Sequence, residues 1–492
     1  MSEITTVPRS SRPNIVIFMP DQLRADALSA FGNPVARTPH FDEFASRATL
    51  FTDAHCQHTV CSPSRASLLT GWYPHTQGHR TLTNLLKPWE PNLLRTFRQA
   101  GYTVAWTGQR GDALAPGVTA ESCDFYGNLV TAMAPEHTMP YPPGHKFYDA
   151  FYSGRIESDA PLLDADEAEI QTVERWLADA PPEPWLLYVT PISPHCPFRV
   201  EEPWFSLHDR AQMPLPVDAD LADKPRFMRG LRERYGTDRL TDDDWREIIA
   251  TYYGMVSRTD SHFGRVMQAV ERAGAADNTV TVVTTDHGEY LGDYGLVEKF
   301  PSGLNDCLTR NPLMIAGPGL HAGARSDAMV ELVDVLPTLL ELADIDPSHT
   351  HFGRSLVPIL AGTSTAHRQA AFSEGGFSRN ERNLLEPIGY PFYRNKVLQQ
   401  HEDPDSVGRA IACRATDFTY VYRLYESDEL YDRRADPHET INIAARTEHA
   451  NTVTAMRERV LAWLAETSDV IGWELDPRND PAVRANPFLA GC

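Results

Sequence analysis

Three short runs constrain this chain more than any other feature. They are Asn14-Ile15-Val16-Ile17-Phe18-Met19, Trp185-Leu186-Leu187-Tyr188-Val189-Thr190 and Thr279-Val280-Thr281-Val282-Val283-Thr284-Thr285. Each is continuously apolar or β-branched, as in strands buried on both faces rather than strands with one wet side. Each then gives way to polar chemistry: Pro20-Asp21-Gln22, Pro191-Ile192-Ser193-Pro194-His195, and Asp286-His287-Gly288. Open α/β sheets hold their ligands beyond the carboxyl ends of their strands, where these residues fall. Further strands are expected over 50–54, 102–107 and 312–316, with helices over 91–100, 163–178, 242–273 and 330–342. Strands alternating with helices imply an α/β fold with a largely parallel sheet. Past residue 365 the texture changes to alternating runs such as Phe418-Thr419-Tyr420-Val421-Tyr422-Arg423, which read as antiparallel strands.

Charge and length limit the function. The chain has 492 residues and a net charge of −22, from 67 acidic against 45 basic residues. No basic excess exists to neutralise phosphates, so nucleic acid is excluded as a partner. Positive charge for an anionic substrate must then be gathered locally. No apolar run is long enough to span a bilayer, and the first residues lack a signal-peptide core, so no membrane partner and a cytoplasmic protein are expected. The seven cysteines are scattered, read as reduced thiols, and include no Cys-x-x-Cys zinc spacing.

One cysteine stands apart. Cys61-Ser62-Pro63-Ser64-Arg65 runs directly into Ala66-Ser67-Leu68-Leu69-Thr70-Gly71. Pro63 near the first turn and Ser62 as cap predict an amphipathic helix start, with Cys61 at the positive end of the dipole. Arg65, four residues on, lies on the same side and adds a fixed cation. The string resembles the signature of type I sulfatases, members of the alkaline phosphatase superfamily. In that family the cysteine becomes Cα-formylglycine, whose hydrated aldehyde is the nucleophile. The resemblance extends over nearly the whole chain. It implies an alkaline-phosphatase-like catalytic domain over residues 1–365 and a smaller antiparallel subdomain over 366–492.

The same resemblance implies a site. Asp21 and Gln22 match the family's first metal-ligand pair, and Asp286 and His287 match the second, with Cys61 between them at the ion. Arg65, His195 and Lys299 match residues that steady the nucleophile, contact the ester or protonate the leaving oxygen. His79, Arg80 and Asn84, close after the nucleophile, are candidate substrate contacts. Many members carry Gly-Lys-x-His where this chain has Gly108-Gln109-Arg110-Gly111. Gln109 or Arg110 then stands in for the lysine, and Arg110 is taken as a substrate contact. A second departure is Tyr294, where Leu-Gly-Asp-His-Gly is frequent.

Ligands of carboxylate, amide and one imidazole suit a hard cation. Calcium is the family default, with Mg²⁺ or Mn²⁺ open. The expected activity is hydrolysis of a small-molecule or carbohydrate sulfate ester, after maturation by a formylglycine-generating enzyme. Two rivals stand beside it: a phosphonate monoester or phosphodiester hydrolase of the same superfamily, and a non-catalytic binding protein with unmodified Cys61. Oligomeric state is open, a homo-oligomer included.

Overall fold

The structure, a computed structural model, describes residues 12–108, 113–133, 139–158, 161–389 and 391–473. Asn14–Phe18 lies in the middle of a nine-stranded sheet. Its two neighbours, Trp185–Val189 and Thr279–Val283, both run parallel to it. All three are buried along their whole length, which is why none alternates. Outside Trp185–Val189 come Thr103–Thr107 and Phe125–Tyr126, again parallel. On the other side Arg310–Ala316 runs antiparallel to both Thr279–Val283 and Thr49–His55. Ala324–Ser326 and Val330–Glu331 complete the sheet beside Thr49–His55. Among the described strands of this sheet only Arg310–Ala316 is reversed, so the others bring their carboxyl ends to one rim.

Helices cover both faces. Val16, Phe18, Leu187 and Val189 pack toward the 31-residue helix Asp242–Arg272 and the helix Ala165–Ala178. Ile15, Ile17, Leu186 and Tyr188 pack toward the helices Cys61–Thr70, Leu93–Gln99 and Val335–Leu342. The long helix starts in a capping box of Thr241 and Asp244. No helix among the described residues is long and apolar enough to cross a membrane.

A separate four-stranded antiparallel sheet contains Ala371–Gly375, Ala410–Arg414, Phe418–Arg423 and Glu429–Asp432. The helix Ala450–Thr467 lays Met456, Val460 and Trp463 on it, with Trp463 stacked on Phe372 at 4.7 Å between ring centroids.

Two stretches differ from the sequence reading. Residues 330–342 form no continuous helix. Val330–Glu331 is a strand and Leu332–Asp334 a 3₁₀ turn, and the α-helix begins only at Val335. The cause is polar: Glu331 and Asp334 cap the turn and hold buried Arg368, whose Nη1 is 2.9 Å from Glu331. The helix expected over 91–100 is shorter, because Asn92 caps it by accepting the Arg95 N–H at 2.9 Å.

Candidate active site

Cys61 opens its helix directly. Val60 holds the cap position in extended conformation, no side chain caps the helix, and Ser62 is already inside it. The expected Ser62 cap is therefore absent, and so is the expected polar face, since all ten residues of Cys61–Thr70 are buried. The helix ends at Gly71 with φ of 68°, where a Cβ would come within 2.8 Å of His351.

The rim of the sheet brings distant residues to this cysteine. The backbone N–H of Gln22 donates to Asp286 Oδ1 at 3.1 Å across 264 residues of sequence. Asp21, Cys61, Asp286 and His287 place one ligand atom each within 4.8 Å of one another, and all four are buried. His287 Nε2 lies 3.3 Å from Cys61 Sγ, and Asp21 Oδ1 lies 3.7 Å from it. Arg65 spans the two carboxylates from behind, with Nε 2.9 Å from Asp286 Oδ2 and Nη2 3.1 Å from Asp21 Oδ2. Their Oδ1 atoms turn toward the cysteine and the imidazole. Close approach matters at Gly288, where a Cβ would lie 2.0 Å from the Cys307 carbonyl.

This donor set fits a hard divalent cation. His287 Nδ1 lies 2.9 Å from the Gly288 carbonyl, which can only accept, so the proton sits on Nδ1 and Nε2 offers a lone pair. Burial depresses the basicity of this imidazole further. Two buried carboxylates shared by one guanidinium leave negative charge that a cation would balance.

A second set of polar groups flanks the first. His195 Nδ1 donates to the Cys196 carbonyl at 2.7 Å, so its Nε2 accepts from Lys299 Nζ at 2.9 Å. Lys299 Nζ also donates to Gln22 Oε1 at 2.5 Å and lies 3.1 Å from Glu298 Oε1. Burial opposes the charge on Lys299, yet Cys61, Glu298 and Asp21 hold its ammonium well above the usual lysine range. The donor atoms of His195, Cys196 and Glu298 also gather within 4.8 Å. There, however, the Lys299 ammonium faces both the imidazole and the carboxylate, which disfavours a second cation. Gln22 ties the two sets together. Its side-chain amide is taken up by Lys299 and Glu289, and its backbone N–H is what bonds Asp286.

Several further residues hold this arrangement. Glu289 is buried with its carboxyl pushed up to about 7, mainly by burial, and accepts N–H groups from Leu291 and Glu298. Asp166 accepts the backbone N–H groups of Ile192 at 2.7 Å and Ser193 at 2.9 Å, fixing the turn that carries His195. Glu169 accepts from Thr190 N–H at 2.6 Å and Thr107 Oγ1 at 3.1 Å, joining two strand ends. Asp166 and Glu169 both lie near the start of the helix Ala165–Ala178, yet neither caps it. That role belongs to Asp164, which caps the helix.

The other candidates stand differently. His79 donates from Nδ1 to the Asn84 carbonyl at 2.8 Å and its Nε2 lies 3.1 Å from Glu90, while Asn84 donates to the Gly78 carbonyl. Arg80 donates to the Gly376 carbonyl and pairs with Glu381. These three brace their own loop and tie it to residues 376–381. Tyr294 donates its hydroxyl to the His438 carbonyl. Gln109 and Arg110 lie outside the described residues.

Comparison with known proteins accords with this geometry. The Sulfatase family pattern matches residues 13–345. The multifunctional alkaline phosphatase superfamily protein PehA of Trinickia caryophylli is 26% identical, over 93% of this chain and 96% of its own. The choline-sulfatase of Rhizobium meliloti is also 26% identical, over 94% and 88%. The crystal structure of phosphonate monoester hydrolase from Agrobacterium radiobacter superimposes with a TM-score of 0.73 at 25% identity, covering 93% of this chain and 96% of that one. A strand-end cluster around Cys61 and a family match over two thirds of the length lead to one assignment. The chain belongs to the sulfatase family and is a sulfuric ester hydrolase.

Proposed function

We propose that the protein hydrolyses the sulfate ester of a small molecule or carbohydrate, using residue 61 as formylglycine and a divalent cation held by Asp21, Asp286, His287 and residue 61. The observation that carries this reading is the convergence of those four ligand atoms within 4.8 Å. Ca²⁺ suits the oxygen-rich donors, as would Mg²⁺ or Mn²⁺. When bound, the cation supplies Lewis acidity to the ester oxygens and lowers the pKa of a nucleophile beside it. When formed by a formylglycine-generating enzyme, the hydrated aldehyde supplies two hydroxyls on one carbon, one to attack sulfur and one whose deprotonation expels sulfate.

The chain's own residues do the rest. Arg65 keeps Asp21 and Asp286 at fixed spacing, so their Oδ1 atoms stay aimed at residue 61. Lys299 brings positive charge to the developing oxyanion and holds the proton that the leaving alcohol needs. His195, with its lone pair on Lys299, sets where that ammonium points. Gln22, whose side-chain oxygen keeps a second lone pair beside its bond to Lys299, would add a further ligand to the cation. Of the candidate contacts for the alcohol half, Arg110 is kept, while His79, Arg80 and Asn84 act through the loop they brace. Residues 366–492 form the smaller subdomain of a cytoplasmic protein in this reading.

Similarity to PehA and to a phosphonate monoester hydrolase, together with the missing Gly-Lys-x-His, favours one second reading: preference for phosphonate monoesters or phosphodiesters. Three measurements on the purified protein test both. Mass spectrometry of the residue-61 peptide should find the thiol converted; an intact thiol in active preparations overturns the nucleophile. Chelator treatment should abolish turnover and lower Tm, with Ca²⁺, Mg²⁺ or Mn²⁺ restoring both. An aryl sulfate should be turned over with higher kcat/KM than an aryl phosphonate; the reverse order transfers the assignment to the second reading.

A further inference from the structure

The helix Arg394–Glu402 sends one side chain into the buried charges beside the site. Lys396 is 3% exposed. Its Nζ lies 3.2 Å from Glu298 Oε2 and 3.3 Å from Glu386 Oε1. Glu298 is fully buried and meets Lys299 with its other oxygen at 3.1 Å, while Oε2 accepts the Lys299 backbone N–H at 2.7 Å. One carboxylate thus stands between two ammonium groups. Burial works against the Glu298 charge, and Lys396, ahead of Lys299, holds it ionised. Lys299 extends beyond this pair to Gln22 Oε1 and His195 Nε2, toward the cluster around Cys61.

We infer that Lys396 is a positioning residue for the proposed reaction: by neutralising Glu298 from behind, it leaves the Lys299 ammonium available to the anionic ester. This rests on the reading that Lys299 meets the substrate. The argument is one of competition. Buried charges interact far more strongly than charges in water, so a carboxylate without a second cation would keep Lys299 for itself. An arriving sulfate ester would then face a neutral pair instead of a cation. With Lys396 present, Glu298 is shared between two ammonium groups, and Lys299 keeps positive charge for the site in a protein whose net charge is −22. Glu386 shares Lys396 from the far side and anchors it away from the site.

The test compares Lys396→Met, Lys396→Arg, the double variant Lys396→Met/Glu298→Gln, and Lys299→Ala, each with its Tm and the state of residue 61 measured. Lys396→Met should lower kcat/KM on an aryl sulfate about 10- to 100-fold, the range for groups that hold a site residue from behind, with part of the loss appearing as raised KM. Lys396→Arg should stay within about threefold, since it keeps the charge on Glu298. Adding Glu298→Gln should return about tenfold of the loss, because the competing carboxylate is gone. A merely structural lysine would lower Tm without that rescue. The inference is overturned if Lys396→Met keeps wild-type kcat/KM, or if the double variant is no better than the single one. If Lys396→Met does not fold, the arginine and double variants decide: both must retain activity. Lys299→Ala separates the two readings. Near-wild-type activity there removes Lys299 from the proposed chemistry, whereas an inactive Lys299→Ala beside an unimpaired Lys396→Met removes only the role of Lys396.

Discussion

Two polar regions, one gathered around Cys61 and one in the loop that follows its helix, are built on different principles. Asp21, Cys61, Asp286 and His287 come from separate segments, and their ligand atoms converge within 4.8 Å. His79, Arg80 and Asn84 come from one loop, and their bonds go to Asn84, Gly78, Glu90, Gly376 and Glu381. In the first region adjacent parallel strands do the positioning, so side chains are free to point at a common centre. In the second the polar side chains do the positioning, and their hydrogen-bonding capacity is spent on nearby backbone carbonyls and carboxylates. A dense run of polar residues next to a nucleophile is therefore weaker grounds for a substrate contact than a single carboxylate at a strand end.

Three substitutions sharpen that contrast. Cys61→Ala removes the nucleophile but little volume, and should reduce kcat on an aryl sulfate by on the order of 10⁴-fold or more, with Tm nearly unchanged. Residual turnover within tenfold of wild type would contradict a nucleophile at 61. Asp166→Asn touches no substrate, yet keeps at most one of the two N–H bonds that fix the His195 turn. Displacing His195 by a fraction of an ångström should lower kcat/KM about 10- to 100-fold; unchanged kinetics would mean that the turn holds itself. His79→Ala should cost stability through the lost Glu90 pairing, with kcat/KM within about threefold of wild type. A large fall in kcat at unchanged Tm would return His79 to the chemistry.

What the sequence made legible follows the same division. Asp21, Asp286 and His287 stand directly after buried strands, and strand register alone carries them to one rim. Lys299 sits on a loop, and only the family resemblance singled it out. Asp166, Glu169, Glu289, Glu298 and Lys396 were missed because a buried charge is recognised by its partner, and those partners are backbone N–H groups or ions remote in sequence. Asp164-Ala165-Asp166-Glu167 looks like any solvated helix start until the turn at Ile192 and Ser193 is laid against it. A weak signal did exist at Glu289 and Glu298, each directly beside a residue already singled out. Residues 330–342 were misjudged for a related reason. Leucine-rich periodicity hid two acids that Arg368 recruits into a turn.

The burial of the helix Cys61–Thr70 also sets a clock. Cys61 is 3% exposed in the finished fold, beyond the reach of another protein's active site. Its neighbour His287 follows 226 residues later in the chain. At synthesis rates of about 5–20 residues per second, Cys61 is made roughly 10 to 45 seconds before His287. Until residues Thr279–Val283 are made, near the end of that interval, the sheet cannot close around the thiol. The order in which the chain is synthesised thus reserves a period for chemistry on Cys61 that the completed protein no longer permits.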